Sequence, residues 1–262
     1  AKSAIDYFVG NLRIQKEKKW IKSDQKSRVS FFGGEPTILW DEIIVPLTLY
    51  GEEKYPGEIS FGMTTNGTLL NKERIDFLKK HNIGPLLSID GAKKTQDYNR
   101  PCNGSDTSSF DLIYPNIHYL LQQFPNTTFR STITQHTASY TFENYVFAET
   151  LGFKSIFMIP NSRENWDKNG LAVLKEELEK IYWYIANKFC TGKFPIGFKP
   201  IEDSFKNVLN HDILALKDKK INSTTCQRNF YRCGLGTTTG SIGYDGKIYG
   251  CQEQNSKDLK NI

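Results

Sequence analysis

The amino-acid sequence predicts an α/β fold in which a parallel sheet is wrapped by helices. Short apolar runs with strand character begin near residues 29, 59, 85, 127 and 155, and a helical stretch follows each one. Steps of about 30, 26, 42 and 28 residues are those of repeated βα units. A second observation agrees with the first: each strand stops in glycine or polar residues, as strands do where their carboxyl ends form a ligand face. Such alternation gives either a barrel or a doubly wound sheet. No Gly-x-Gly-x-x-Gly follows the first strand, so a dinucleotide fold has no specific support, and the reading is a curved, open barrel.

In chain order, residues 3–20 read as an amphipathic helix with a basic end, and 22–28 as a polar connector. The first strand, Val29 to Phe32, runs into Gly33-Gly34-Glu35-Pro36, with a helix expected over 39–50. Residues 58–65 form the second strand and stop at Asn66-Gly67. The helix over 68–81 follows from the spacing of Leu69, Leu70, Ile75, Phe77 and Leu78. Gly84 is expected to stop that helix. The third strand, 85–90, ends at Gly91, and 92–109 reads as a long loop. Helices over 110–124, 142–151 and 171–189 alternate with strands over 128–134 and 155–159. Beyond residue 190 the chain reads as a Gly- and Pro-rich connector, then a helix over 205–216. A Cys-, Gly- and Thr-rich region begins at 222, and in it 241–250 has the pattern of a hairpin turning at Asp245-Gly246.

Composition bounds the function only loosely. A chain of 262 residues with 38% hydrophobic and 24% charged residues has the makeup of a globular α/β protein. The net charge of +5 comes from scattered lysines and argues weakly for an anionic partner. No apolar run approaches the ~18 residues of a membrane span, so no membrane association is expected. The cysteine region lacks clustered basic residues beyond Arg228 and Arg232, which leaves nucleic-acid binding without support. With no initiator methionine and no closing element, both ends read as truncated.

Five cysteines are an odd number for a complete disulfide framework. Cys102 and Cys190 stand apart and read as structural thiols, whereas Cys226, Cys233 and Cys251 share the last 37 residues. That grouping fits a reducing compartment and a metal or cluster site. Thiolates suit an iron–sulfur cluster or tetrahedral zinc, and buried thiols without metal are the third reading. Glu35 has two readings: a ligand group beside two glycines that let backbone approach a ligand, or a carboxylate at a helix start.

The tips Gly33-Gly34-Glu35-Pro36, Thr65-Asn66-Gly67 and Leu87-Ser88-Ile89-Asp90-Gly91 together resemble those of the radical S-adenosylmethionine (radical SAM) superfamily. Cys233, twelve residues, Gly246, four residues and Cys251, with Asp245 and Tyr249 alongside, resemble the opening half of its SPASM extension. The resemblance implies a partial (β/α) TIM-like barrel lacking its first strand, over residues 1–190. A connector over 191–221 and the amino-terminal part of a SPASM domain over 222–262 would follow. It further implies reductive cleavage of SAM by a [4Fe-4S] cluster, and use of the resulting 5′-deoxyadenosyl radical to modify a peptide or protein.

By the same resemblance, Gly33, Gly34 and Glu35 hold the ammonium of SAM, Ser88 its ribose or carboxylate region, and Arg130 its carboxylate. Pro36, Thr65, Asn66 and Asp90 complete the cofactor-binding set. A guanidinium fork matches a carboxylate in two bonds, while an ordinary ion pair at a strand end is the other reading of Arg130. Asp97 and Arg100 resemble a family Asp-x-x-Arg segment, with Gln96 where a histidine is usual, and read as loop-stabilising. Cys226, Cys233 and Cys251 are implied ligands of an auxiliary [4Fe-4S] cluster.

The family's Cys-x-x-x-Cys-x-x-Cys loop for the radical-generating cluster does not occur in this chain and is expected upstream of Ala1. The 262 residues alone are therefore not expected to generate a radical. Sulfatase maturases, which are related, carry an aspartate base where Gln252 stands, which tilts the reading toward a maturase of ribosomally made peptides that forms thioether or carbon–carbon crosslinks. A sulfatase maturase and a non-radical SAM- or peptide-binding relative are the alternatives. The implied partners are a peptide or protein substrate and an electron donor such as a flavodoxin or ferredoxin, in a reducing cytoplasm. No catalytic residue is assigned.

Overall fold

A computed structural model describes residues 1–102, 104–192, 197–198, 200, 240–243 and 246–249. Two compact units divide the chain, Arg28–Ser204 and Ala1–Ser27 with Phe205–Ile262. The larger unit is built on a six-stranded sheet of β1 (Ser27–Phe31), β2 (Ile59–Thr65), β3 (Gly84–Ser88), β4 (Thr128–Ile133), β5 (Ser155–Pro160) and β6 (Gly197–Phe198). The strands lie in sequence order, and every pair from β2 to β6 is parallel. An order without reversal is that of a barrel wall, because successive right-handed crossovers then place all helices on one face. A doubly wound sheet would reverse its order at a switch point.

The helices that cover that face carry apolar stripes. Phe31 and Phe61 stack at 5.8 Å on the helix side of β1 and β2. Phe129 of β4 meets Phe153 edge-on at 5.2 Å. The helices α3 (Lys72–Lys80), α5 (Ser109–Gln123) and α6 (Thr141–Leu151) bury Ile75, Leu78, Ile113, Ile117, Leu120, Tyr145 and Ala148. The long helix α7 (Lys168–Cys190) buries Leu174 and Ile181. Its Glu177 is also buried, accepting from the Phe142 N–H at 3.0 Å and pairing with Lys180.

Several local expectations change. The helix expected over 39–50 begins as a 3-10 turn (Pro36–Leu39), widens into a π turn (Trp40–Ile44) and becomes α2 only over Val45–Lys54. Pro46 has no N–H to give to a carbonyl four residues back, which fits widening just before it. Asn82 takes the left-handed position after α3 (φ 52°), and Gly84 instead opens β3. Asparagine tolerates that conformation because its side chain is short and polar. The stretch read as a loop over 92–109 contains a further helix, α4 (Lys93–Asn99), and the connector after α7 supplies β6.

In the smaller unit, α1 (Lys2–Glu17) buries Ile5 and Val9, and its Phe8 ring packs against Gly240. Strands β7 (Ser241–Ile242) and β8 (Ile248–Tyr249) pair antiparallel. Gly243 donates to the Lys247 carbonyl and Gly246 donates to the Gly243 carbonyl, each at 3.0 Å. Gly246 is left-handed at φ 75°, while Asp245, the other residue of the expected two-residue turn, lies outside the described residues. The boundary near 222, the helix over 205–216, and Cys226, Cys233, Cys251 and Gln252 lie outside the described residues.

Candidate active site

The face of the sheet opposite the helices is the polar one. Gly62 of β2 points to it, since its neighbours Phe61 and Met63 are buried on the helix side. The Arg28 guanidinium lies against Gly62, so close that an added Cβ would stand 3.1 Å from Nη2. Alternation along the strands then places Thr64, Ser88, Arg130, Thr132 and Phe157 on this same polar face. Ser88 is in register with Arg130, and Arg130 with Phe157. Extending the Thr65–Leu87 register by one residue sets Asn66 beside Ser88. Asn66, Ser88 and Arg130 thus form one row at the carboxyl end of three adjacent strands, about 10 Å across at the usual strand spacing.

The glycine tip after β1 is held at this end by Glu35. Its Oε1 accepts from the Thr37 N–H at 3.1 Å, the Thr37 hydroxyl at 2.5 Å and the Thr65 hydroxyl at 2.7 Å. Its Oε2 accepts the Asn66 N–H at 2.6 Å. Glu35 is thus the side-chain cap of the 3-10 turn that Pro36 opens, and also the tie between the first two strand tips. Oε2 keeps lone-pair capacity for one further donor. Gly33 adopts φ 147°, and a Cβ at Gly33 or Gly34 would meet nothing within 4 Å. The backbone of this tip is open to an approaching ligand.

The second tip is fixed from within. Gly67 donates to the Thr65 hydroxyl at 3.0 Å, and the Asn66 side-chain carbonyl accepts from both the N–H and the hydroxyl of Thr68. Gly67 is left-handed (φ 79°), and an added Cβ would stand 2.6 Å from Leu87 Cδ1, so glycine is required there twice over.

Ser88 and Arg130 differ from these residues in being uncommitted. Neither side chain has a hydrogen-bond or ion-pair partner among the described residues, which removes an ion pair within them as the reading of Arg130. A half-buried guanidinium without a counter-charge is a site for an anion from outside. Asp90, by contrast, is 2% exposed and fully engaged. It accepts from Arg100 Nε at 2.9 Å and Nη2 at 3.2 Å, and from the Thr132 N–H at 2.9 Å.

Asp97 and Arg100 sit where the loop-stabilising reading put them. Asp97 accepts from the Phe110 N–H at 3.0 Å and from the Ser108 hydroxyl, at the start of α5. Burial pushes its carboxyl pKa up, but the Phe110 and Ser108 bonds and Lys93 outweigh it and hold the group below the usual aspartate value. Gln96 is completely buried and accepts the Asp90 N–H at 2.8 Å. Sequence reasoning missed the roles of Thr37, Ser131 and Thr132 in these networks; only the Glu-Pro-Thr order, a helix-start signal, pointed to Thr37.

The residues at this end suit a zwitterionic amino-acid group: open backbone and a carboxylate at one end of the row, an unpaired guanidinium at the other. Among the described residues no three His, Cys, Asp or Glu side chains are grouped to hold a metal, and no helix is long and apolar enough to cross a membrane.

Comparison with known proteins bears on the family and the fold. Residues 10–138 match the model of the radical SAM superfamily. The chain is 28% identical over 240 residues to a radical SAM cyclopropyl synthase, TigE, of Paramaledivibacter caminithermalis, covering 88% of this chain and 48% of that protein. It is 25% identical over 143 residues to a cysteine-type anaerobic sulfatase-maturating enzyme of Clostridium novyi, covering 53% and 37%. In fold it resembles anSMEcpe solved with bound AdoMet (TM-score 0.60, 19% identity, 74% of this chain and 54% of that one), a protein also solved with a Cp18Cys peptide. The chain spans about half the length, or less, of these relatives. The parallel α/β sheet is thus of the kind found in radical SAM partial barrels, and residues 10–138 are a radical SAM domain, homologous to those of a cyclopropyl synthase and an anaerobic sulfatase maturase.

Proposed function

We propose that the protein containing this chain is a radical SAM enzyme that modifies a peptide or protein substrate. The observation that carries the reading is the row at the carboxyl end of β1 to β4: an open glycine tip braced by Glu35, then Ser88, then an Arg130 with no partner among the described residues. In this reading the carbonyls of Gly33 and Gly34 and the Glu35 carboxylate receive the ammonium of SAM. Ser88 donates to its ribose or carboxylate, and Arg130 forks onto the carboxylate. Pro36 starts the turn that aims Glu35, while Thr65 and Asn66 hold its two oxygens in place. With a [4Fe-4S] cluster to reduce it, SAM bound here would supply the hydrogen-abstracting species.

Cys226, Cys233 and Cys251 are proposed ligands of an auxiliary [4Fe-4S] cluster in a SPASM-type extension, and a flavodoxin or ferredoxin is the proposed electron donor in a reducing cytoplasm. Peptide modification is supported by the names of the relatives: a cyclopropyl synthase, a sulfatase-maturating enzyme, and a structure with a bound peptide. Gln252, standing where sulfatase maturases carry an aspartate, favours peptide crosslinking over formylglycine formation. Mass spectrometry of candidate peptides incubated anaerobically with the intact protein, SAM and reductant tests this. Loss of two hydrogens from a peptide is expected. SAM consumption with every peptide and protein left unchanged would overturn the maturase reading, and conversion of a sulfatase cysteine to formylglycine would favour the alternative.

A further inference from the structure

We infer that Asp90 and Arg100 are a positioning pair that sets the place and the free state of Arg130, an inference that rests on Arg130 receiving the carboxylate of SAM. The paired register between β3 and β4 ends at Ser88 and Arg130. Beyond it, three bonds from residues 89 and 90 continue the attachment around Arg130. Ile89 N–H donates to the Arg130 carbonyl at 3.0 Å. Ser131 donates its hydroxyl to the Asp90 carbonyl at 2.8 Å, and Thr132 donates its N–H to Asp90 Oδ1 at 2.9 Å. Asp90 thus meets with its side chain a backbone donor that a longer β3 would have met with a carbonyl.

A carboxylate only 2% exposed holds one geometry when its charge and lone pairs are satisfied. Arg100 does this with a two-pronged contact from the end of α4, and Gln96 of the same helix takes the Asp90 N–H. Helix α4 therefore anchors Asp90, Asp90 anchors the β4 backbone at the two residues that follow Arg130, and the guanidinium is delivered from a fixed Cα. The pair also acts through charge. Asp90 neutralised by Arg100 leaves the Arg130 side chain unpartnered among the described residues, whereas an unpaired Asp90 would be a competing anion close to it in the sheet.

A double-mutant cycle on SAM affinity in the intact protein tests the pair, using Asp90→Asn, Arg100→Lys and Arg130→Ala singly and combined. Asp90→Asn and Arg100→Lys each are expected to raise the SAM Kd about tenfold in the parent. In the Arg130→Ala background neither should change it, because both act through that side chain. A merely structural role would lower the melting temperature and cost affinity equally in both backgrounds. Should Asp90→Asn fail to fold, Arg100→Lys reads the same coupling, since it keeps the charge and loses only the fork. Losses that add in the double variants, or an affinity within twofold of the parent in Arg100→Lys, overturn the inference. If Arg130→Ala alone leaves SAM affinity unchanged, the SAM-carboxylate assignment fails, and the inference falls with it.

Discussion

Glu35→Ala should cost about 3 kcal/mol of stability, a large effect for one half-buried surface-loop side chain. The carboxylate accepts four hydrogen bonds, from the Thr37 N–H and hydroxyl, the Thr65 hydroxyl and the Asn66 N–H. Loss of a side-chain cap costs about 1 kcal/mol. Bonds to a charged group are worth about 1.5–3 kcal/mol each, and four that share one carboxylate fall well short of adding. Thr65 is 1% exposed, so its hydroxyl cannot recover its lost acceptor from water, which keeps the total near the upper part of that range. Urea unfolding followed by tryptophan fluorescence suits the test, because Trp40 lies in the π turn that follows this tip. With a slope of about 2 kcal/mol per molar, the midpoint should fall by about 1.5 M with the slope unchanged. Glu35→Gln keeps one acceptor oxygen and should fall about a third as far. A midpoint shift below about 0.3 M for Glu35→Ala would refute the view that this carboxylate ties the first two tips together.

Other expectations follow from the same geometry. Arg130→Ala should weaken SAM binding by about 10- to 100-fold in calorimetry yet leave stability within about 0.5 kcal/mol, since no partner among the described residues is lost; unchanged affinity would remove it from the site. Gly67→Ala should cost about 2–4 kcal/mol from left-handed strain and the clash with Leu87, and an unaltered thermal melt would contradict this. Burial, with Glu149 and Tyr184 nearby, holds the Tyr145 phenol well above its ordinary value of 10.0. The folded state therefore keeps a proton that the unfolded chain gives up. Stability from this group is complete below pH ~10 and declines as pH rises beyond it; a Tyr145→Phe protein with the same decline would show the cause to lie elsewhere. Replacing Cys226, Cys233 and Cys251 by alanine in the intact protein should lower its iron content by about four per chain after anaerobic reconstitution. Zinc bound there instead would point to a structural metal.

The sheet was legible because each βα unit repeats its own signals. Apolar runs at 59–65 and 155–160, closed by Asn66-Gly67 and Pro160, locate β2 and β5 almost to the residue. Helix α4 was not legible: seven residues make fewer than two turns, too short for a hydrophobic period, and what holds it is the Asp90–Gln96–Arg100 network. Strand β6 has two residues and exists only because β5 presents an edge to Gly197 and Phe198. In the site, the two glycines and Glu35 stood out at the end of the first strand, and Arg130 was singled out by the family resemblance. The sequence could not show that Asp90 is spent on Arg100 while Arg130 is left without a partner among the described residues, because that division of charge depends on residues ten and forty apart meeting in the fold.

In the function we propose, this end of the sheet binds SAM for reductive cleavage. Formation of 5′-deoxyadenosine by the intact, anaerobically reconstituted protein with SAM and dithionite measures it most directly. SAM-dependent 5′-deoxyadenosine is expected from the parent, and much less from Arg130→Ala at SAM concentrations near the parent's Kd. A reconstituted parent that forms none, or an Arg130→Ala protein that matches it at every SAM concentration, would rule out SAM binding at this end of the sheet.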